Sequence, residues 1–297
     1  MAIAKRPSKI TLPPKNNGWN NLLEFLVEQF PLIEESIWIA RFSDNKIHWI
    51  SGEMVNQETP FKPSQILCYY REVPDEPIIP FQHQIIFRNE HILIADKPHF
   101  LPVTPGGIYV NECLLERIRQ QENLSDIVTT HRLDRETAGL VMFSINPQTR
   151  GDYCQLFAKG EIEKHYQAIA KLTPQALNQT MPQNWQIANR LAKSKPSFLM
   201  HEVDGEINAR SEISLIAKQN NFGLFDLKPI TGKTHQLRLH MLKIGMPILN
   251  DKFYPILLAD KKLDFDSPLQ LLAKKLSFRD PITKKHLSFE SSRGLNF

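Results

Sequence analysis

The sequence predicts an α+β protein with a mostly antiparallel mixed sheet flanked by helices, preceded by a small N-terminal α+β module. Two observations carry this. Strand-like runs come in hairpin-like pairs with isolated helical segments between them, which is not the regular βαβ alternation of a parallel sheet. In addition, Arg71–Pro80 spaces Pro74, Pro77 and Pro80 three residues apart, which favours an extended path and marks a boundary.

Residues 1–18 read as a flexible basic tail whose Lys5, Arg6, Lys9 and Lys15 are solvated charge or RNA contacts. Residues 19–71 form the small module. Leu22, Leu23, Phe25, Leu26 and Phe30, then Ile33, Ile37, Ile39 and Ala40, suggest two short helices broken at Pro31. Strand-like pieces follow near Ile47–Ile50 and Ile66–Tyr70. Residues 72–82 are the Pro-rich linker, and 83–297 form the main domain. There, Ile85–Arg88 and His91–Asp96 read as two strands joined by a turn. Glu112–Gln121 reads as a helix, Ala138–Ser144 as a strand, Pro147–Lys159 as a helix with proline in its first turn, and Lys164–Ala170 as a strand. Glu212–Ala217 and Leu224–Lys228 are strands, and a helix from about Thr234 to Ile244 stops at Gly245.

Composition narrows the class. With 297 residues, 41% hydrophobic and 23% charged, the chain is long enough for a proper core. No apolar run is long enough to span a membrane, and the N-terminus has charge but no apolar h-region. Three widely spaced cysteines, Cys68, Cys113 and Cys154, argue for a reducing, cytoplasmic setting and against a zinc site. Residues 1–80 carry 8 Lys/Arg against 10 Asp/Glu, leaving 28 against 22 in 81–297. The positive excess therefore sits in the larger part, compatible with a polyanionic partner.

Several motifs fail on spacing. Thr231-Gly232-Lys233-Thr234 is not a phosphate-cradling loop, because the glycine needed five residues before Gly232 is Leu227. His235 and His240, five helical positions apart, project roughly 140° apart, so no metal is expected there. No GxSxG elbow is present.

His131-Arg132-Leu133-Asp134-Arg135-Glu136-Thr137-Ala138-Gly139-Leu140 sets one carboxylate between two arginines, just before an apolar strand. In an extended backbone Arg132 and Asp134 share a face. A cation about 4 Å away favours the ionised carboxylate by a few kcal/mol at intermediate dielectric. A bare anion suits a nucleophile or base. Taken alone, the triplet reads more readily as a structural ion pair.

It is not alone. His131–Ser144 (HRLDRETAGLVMFS) resembles the central motif of the RluA-type pseudouridine synthases, commonly HRLDxxTSGLLL. Lys97–Val103 (KPHFLPV), Lys164–Ala168 (KHYQA), Thr231–His240 (TGKTHQLRLH), Gly245–Asp251 (GMPILND) and Leu272–Phe278 (LAKKLSF) resemble further motifs of that family in the same order. The resemblance covers about residues 83–290 and implies a pseudouridine synthase-like fold. The implied enzyme is a cofactor-free isomerase that detaches uracil in RNA and rejoins it to ribose through carbon. It implies Asp134 as the catalytic carboxylate, acting as nucleophile or as base. Tyr166 is then the ring on which uracil stacks, with a possible part in removing the ring proton. Arg238 is the basic partner of Asp134, and in this light its main one. Arg132 becomes the arginine that fills the stack when the nucleotide is flipped out. Arg135, Lys233 and Leu237 are expected along the substrate, together with His131, read there as a structural hydrogen-bonding residue. Gly139 is expected to allow close backbone packing.

Ala138, Lys233 and Asn250 depart from the commoner serine, arginine and glycine. Lys233 weakens bidentate phosphate contact, and Asn250 is expected to shift a turn. The N-terminal module faintly resembles the small RNA-binding domain of this family, but in degenerate form: Glu34 and Glu35 stand where cations are usual, and Arg41 is the sole cation there. The expected partner is RNA, ribosomal slightly ahead of transfer RNA. The alternatives are an inactive RNA-binding protein on the same fold, or an unrelated hydrolase using Asp134.

Overall fold

A computed structural model describes residues 1–258 and 264–297. The chain divides into two compact units, Met1–Pro77 with Gly106–Asn111, and Ile78–Pro105 with Glu112–Phe297. No helix among the described residues is long and apolar enough to cross a membrane.

The smaller unit contains β1 (Ala2–Ile3), β2 (Ser8–Thr11), α1 (Leu22–Gln29), α2 (Glu35–Ser43), β3 (Ile47–Trp49), β4 (Ile66–Tyr69) and β5 (Glu72–Val73). Residues 1–18, expected to be a flexible tail, are instead tied down. β1 pairs with β5 and β2 with β4, both antiparallel, and Leu12 is buried in the unit's core. The physical reason is the alternation within Ser8–Thr11, which lets β2 extend the β4–β3 ribbon. Part of the expected linker is likewise strand, since β5 lies within it. α1 and α2 flank Pro31 as expected, and α1 is capped by the Asn21 side chain accepting from Glu24 N–H. Arg41 is buried, its guanidinium 4.7 Å from the Trp38 ring centre and 3.5 Å from Glu72. The cation of α2 is thus consumed internally.

The larger unit contains β6 (Gln84–Arg88), β7 (Ile92–Lys97), α3 (Leu114–Glu122), β8 (Val128–Thr129), β9 (Ala138–Ser144), α4 (Arg150–Ala158), β10 (Ile162–Lys171) and α5 (Pro174–Asn178). It continues with β11 (Gln183–Lys193), β12 (Met200–Val203), β13 (Ala209–Gln219), β14 (Phe222–Pro229), α6 (Gln236–Lys243), β15 (Leu271–Arg279) and β16 (His286–Glu290). One 11-stranded sheet runs β12-β11-β13-β14-β10-β15-β9-β7-β6, with β16 beside β15 and β8 beside β9. Among the described residues, every strand pairing is antiparallel except β15 with β9. The fold is α+β on a mixed, mostly antiparallel sheet.

β9 is wholly buried, which explains its unbroken apolar run. β13 and β14 alternate, one face packed and the other wet. The helix expected over Pro147–Lys159 begins only at Arg150, because the Asn146 side chain accepts from Gln148 N–H and forms a turn around Pro147. β11, β12 and β16 were not foreseen. In β11 the polar Gln183 and Asn189 take buried places and break the apolar alternation, whereas β16 does alternate Leu287 and Phe289 with polar residues.

Two features of the sheet control how its central strands meet. Gly139 has φ +112°, and a Cβ there would lie 2.3 Å from the Ala273 carbonyl oxygen. Only glycine allows β9 and β15 to meet in parallel at this point. Ala273 pairs with Gly139 on one side and Tyr166 on the other, and the β10–β15 register slips between His165 and Tyr166. Such a bulge re-aims the side chain beside it.

Candidate active site

The loop between β8 and β9 carries Asp134, and its carbonyls are pinned one after another. Thr137 N–H donates to the Asp134 carbonyl at 3.1 Å. The buried Lys97 Nζ donates to the Arg135 carbonyl at 3.0 Å, and also to those of Pro98 and Leu101. His99 Nδ1 donates to the Glu136 carbonyl at 2.7 Å. The Lys97-Pro98-His99 segment therefore acts as a clamp on the acidic loop. Burial pushes Lys97 down to about 7 and His99 down to about 4. Three acceptor carbonyls match the three hydrogens of an ammonium.

His131 fastens the other side of the loop. Its Nε2 accepts from Met142 N–H at 3.1 Å, and its ring stacks on Phe157 at 4.3 Å. Burial, with the charge of Lys164, pushes His131 down to about 3. The segment from His131 to Thr137 turns and does not run as a strand, so the alternation argument for Arg132 fails. No ion pair joins Arg132 to Asp134 among the described residues, and Arg132 is exposed.

The cation beside Asp134 comes from α6. Arg238 Nη1 lies 3.6 Å from Asp134 Oδ2, with side-chain exposures of 2% and 30%, so the carboxylate faces outward from a buried guanidinium. That Nη1 is buried and has no hydrogen-bond partner. It is a donor held ready at a distance that a bound substrate could shorten. The rest of the guanidinium is fixed by Asp251, which accepts from Nε at 2.8 Å and also from Nη2. Burial opposes the Arg238 charge, but the hydrogen bonds and charge of Asp251, with the charge of Asp134, raise its pKa above the usual value. Asp251 follows Asn250, which adopts φ +63°, a left-handed conformation open to asparagine as well as glycine.

Asp251 Oδ1 also accepts from the backbone N–H groups of Phe253 and Tyr254. Their rings then lie 4.6 and 5.3 Å from the guanidinium carbon. His235, with φ +54° just before α6, is hydrogen-bonded through Nδ1 to the Tyr254 hydroxyl at 2.8 Å, and its Nε2 is 3.8 Å from Asp134 Oδ2. Sequence reasoning missed Asp251, His235, Phe253 and Tyr254 as parts of the site. Asp251 and His235 stood within recognised motifs, but a long-range pairing leaves no local signature. His240 is buried, its Nε2 3.0 Å from Asn189 Oδ1.

Tyr166 reaches the site from β10 at the bulge. Burial raises its phenol well above the ordinary value, and the nearby Asp134 charge adds to the rise. Leu237 is buried in the apolar cluster against which Tyr166 packs. Arg135 bonds Glu136 through Nε and Nη2, and Lys233 is exposed just before α6. Gln236, by its side chain, ties that loop to Arg210 and Ser211.

Asp134 thus lies beside the buried Arg238, and is near enough to Tyr166 to act on its phenol electrostatically. Residues 91–243 match the family described as RNA pseudouridylate synthase. The dual-specificity RNA pseudouridine synthase RluA of Pasteurella multocida (strain Pm70) is 31% identical over 228 residues, 73% of this chain and 94% of that protein. Its namesake from Haemophilus influenzae (strain ATCC 51907 / DSM 11121 / KW20 / Rd) is 30% identical over 222 residues, 72% of this chain and 94% of that protein. Among solved structures, human RNA pseudouridylate synthase domain containing 1 superposes with a TM-score of 0.58 at 18% identity, over 74% of this chain and 86% of that one.

Proposed function

The chain belongs to the RNA pseudouridylate synthase family and isomerises uridines in RNA; on that premise we propose that Asp134 is the group that acts on the ribose. The observation that carries this is the half-open Asp134 carboxylate 3.6 Å from the buried Arg238 Nη1. The buried guanidinium fixes a positive charge beside the carboxylate, and the open side leaves room for an everted nucleotide. The reaction breaks the bond from ribose C1′ to uracil N1 and makes one to C5; the C5 proton leaves and N1 gains one. Asp134 either attacks the sugar or takes a proton from it, and both need the charged form.

Tyr166 supplies the face on which the detached uracil turns. A phenol whose pKa is raised is a poor proton acceptor, so its ring matters more than its oxygen. Arg132, exposed beside Asp134, takes the gap in the RNA stack, while Lys233 and Arg135 lie toward the phosphates. His131 and Leu237 hold the loop and the ring in place. Catalysis belongs to the larger unit. We assign the substrate to ribosomal or transfer RNA: two relatives are named dual-specificity enzymes, and a yeast relative, 24% identical over 78% of this chain and 50% of its own length, is named a transfer RNA pseudouridine synthase. Free Cys68, Cys113 and Cys154 suit a reducing cytoplasm.

Mapping pseudouridines in total RNA with and without the gene tests this reading. Loss of one or a few sites, restored by the wild-type gene, is expected; an unchanged map would refute it.

A further inference from the structure

The hairpin of β11 and β12 is joined to the catalytic pair by two separate chains of contact. Where β12 begins, Met200 N–H donates to the Tyr254 hydroxyl at 2.9 Å, and that hydroxyl bonds His235, which faces Asp134. At its tip, the Phe198 ring packs on Phe253 at 5.4 Å, and Phe253 lies under the Arg238 guanidinium. The tip is an ordered turn, with Ser194 N–H donating to the Leu199 carbonyl at 2.9 Å.

A single exposed aromatic ordinarily means nothing. Phe198 differs in its surroundings. Leu199 and Met200 pack inward on the cluster of Leu191, Ala209, Leu239 and Tyr254, whereas Phe198 stays 50% exposed with Phe253 as its ring contact. Lys193 and Lys195 are exposed on the same turn, and residues 193–200 contain no carboxylate. The nearest acid along β12, Glu202, is already paired with Lys243. An open aromatic face beside two solvated cations, continuous with the catalytic pair, is the chemistry that takes an unpaired nucleotide: the base on the ring, its phosphates on the amines.

We propose that Phe198, with Lys193 and Lys195, forms a subsite for a nucleotide adjoining the target uridine, stacking its base while the uridine is held at Asp134. This rests on the pseudouridine synthase reading. It explains why the turn end of the hairpin is braced twice, at Phe198 and at Met200: a nucleobase gripped there sets the position of the next nucleotide against the carboxylate.

The test uses a stem-loop transcript carrying the uridine found by mapping, labelled as 5-³H-uridine, and measures tritium release against RNA concentration. Phe198→Ala raises the half-saturating concentration about 5- to 100-fold, the range expected for one lost base–aromatic stack, and Phe198→Trp recovers most of it. Replacing a neighbouring base by an abasic residue, scanned on both sides of the uridine, weakens the wild type by a similar factor but adds little in Phe198→Ala. Phe198→Ala within twofold of wild type, or an abasic penalty equal in both enzymes, would overturn the subsite. A wild type that releases no tritium from any such transcript would instead overturn the enzymatic reading itself.

Discussion

At Tyr166 two roles compete, a stacking face and a proton acceptor. The raised phenol pKa, from burial and then from Asp134, argues for the face. Tyr166→Phe should therefore cost less than about tenfold in single-turnover rate, because the ring remains. Tyr166→Ala should cost far more. Loss of a true general base would show as roughly 10²- to 10⁴-fold in the phenylalanine variant, and that result would return the proton to the hydroxyl. Much at this scale was legible in the sequence: Asp134, Tyr166 and Arg238 all stand in recognisable motifs. What could not be read was who holds Arg238. Asp251 is 13 residues further along, and a buried ion pair across a turn has no period or spacing to betray it. The shared face that alternation gives Arg132 and Asp134 fails for a related reason: alternation presumes a strand, and the chain here bends to close the Thr137–Asp134 turn.

Among the elements, the junction of β9, β15 and β10 sets the geometry. Gly139, Ala273 and Tyr166 lie in one cross-strand row. Gly139→Ala would drive a methyl into the Ala273 carbonyl at a φ that L residues rarely adopt. Strain and overpacking of about 1–3 kcal/mol each should combine to roughly 2–6 kcal/mol of lost stability. Urea unfolding reads this as a lower midpoint with an unchanged slope; a midpoint equal to wild type would mean that the strands do not approach so closely. The need for close packing at Gly139 was legible. The bulge at Tyr166 was not, because it arises from pairing with a strand more than a hundred residues away. β11 and β12, which carry the Phe198 hairpin, escaped notice because Gln183–Lys193 alternates apolar with polar and charged side chains too irregularly to announce a strand.

Over the whole molecule, buried neutral histidines couple stability to pH. His99 and His240 are pushed to about 4 and His131 to about 3, each chiefly by burial. Below about pH 6.5 the unfolded chain binds protons at these sites that the folded chain refuses, so stability falls as pH drops toward 4. Three such groups give a slope approaching about 4 kcal/mol per pH unit at its steepest. Urea unfolding at pH 7 and pH 5 should show the loss; equal midpoints would place these rings in water. The division into units was only partly legible. The proline-rich stretch marks a boundary, yet Gly106–Asn111 joins the smaller unit from within the larger one, through bonds such as Val110 N–H to Glu76 at 2.6 Å. A linear scan cannot see an inserted loop. All of these scales converge on one carboxylate, and the most direct test is Asp134→Asn, assayed for tritium release from 5-³H-uridine RNA with RNA affinity measured in parallel. Turnover should fall by on the order of 10³-fold or more while the dissociation constant stays within a few-fold of wild type; turnover comparable to wild type would contradict the assignment.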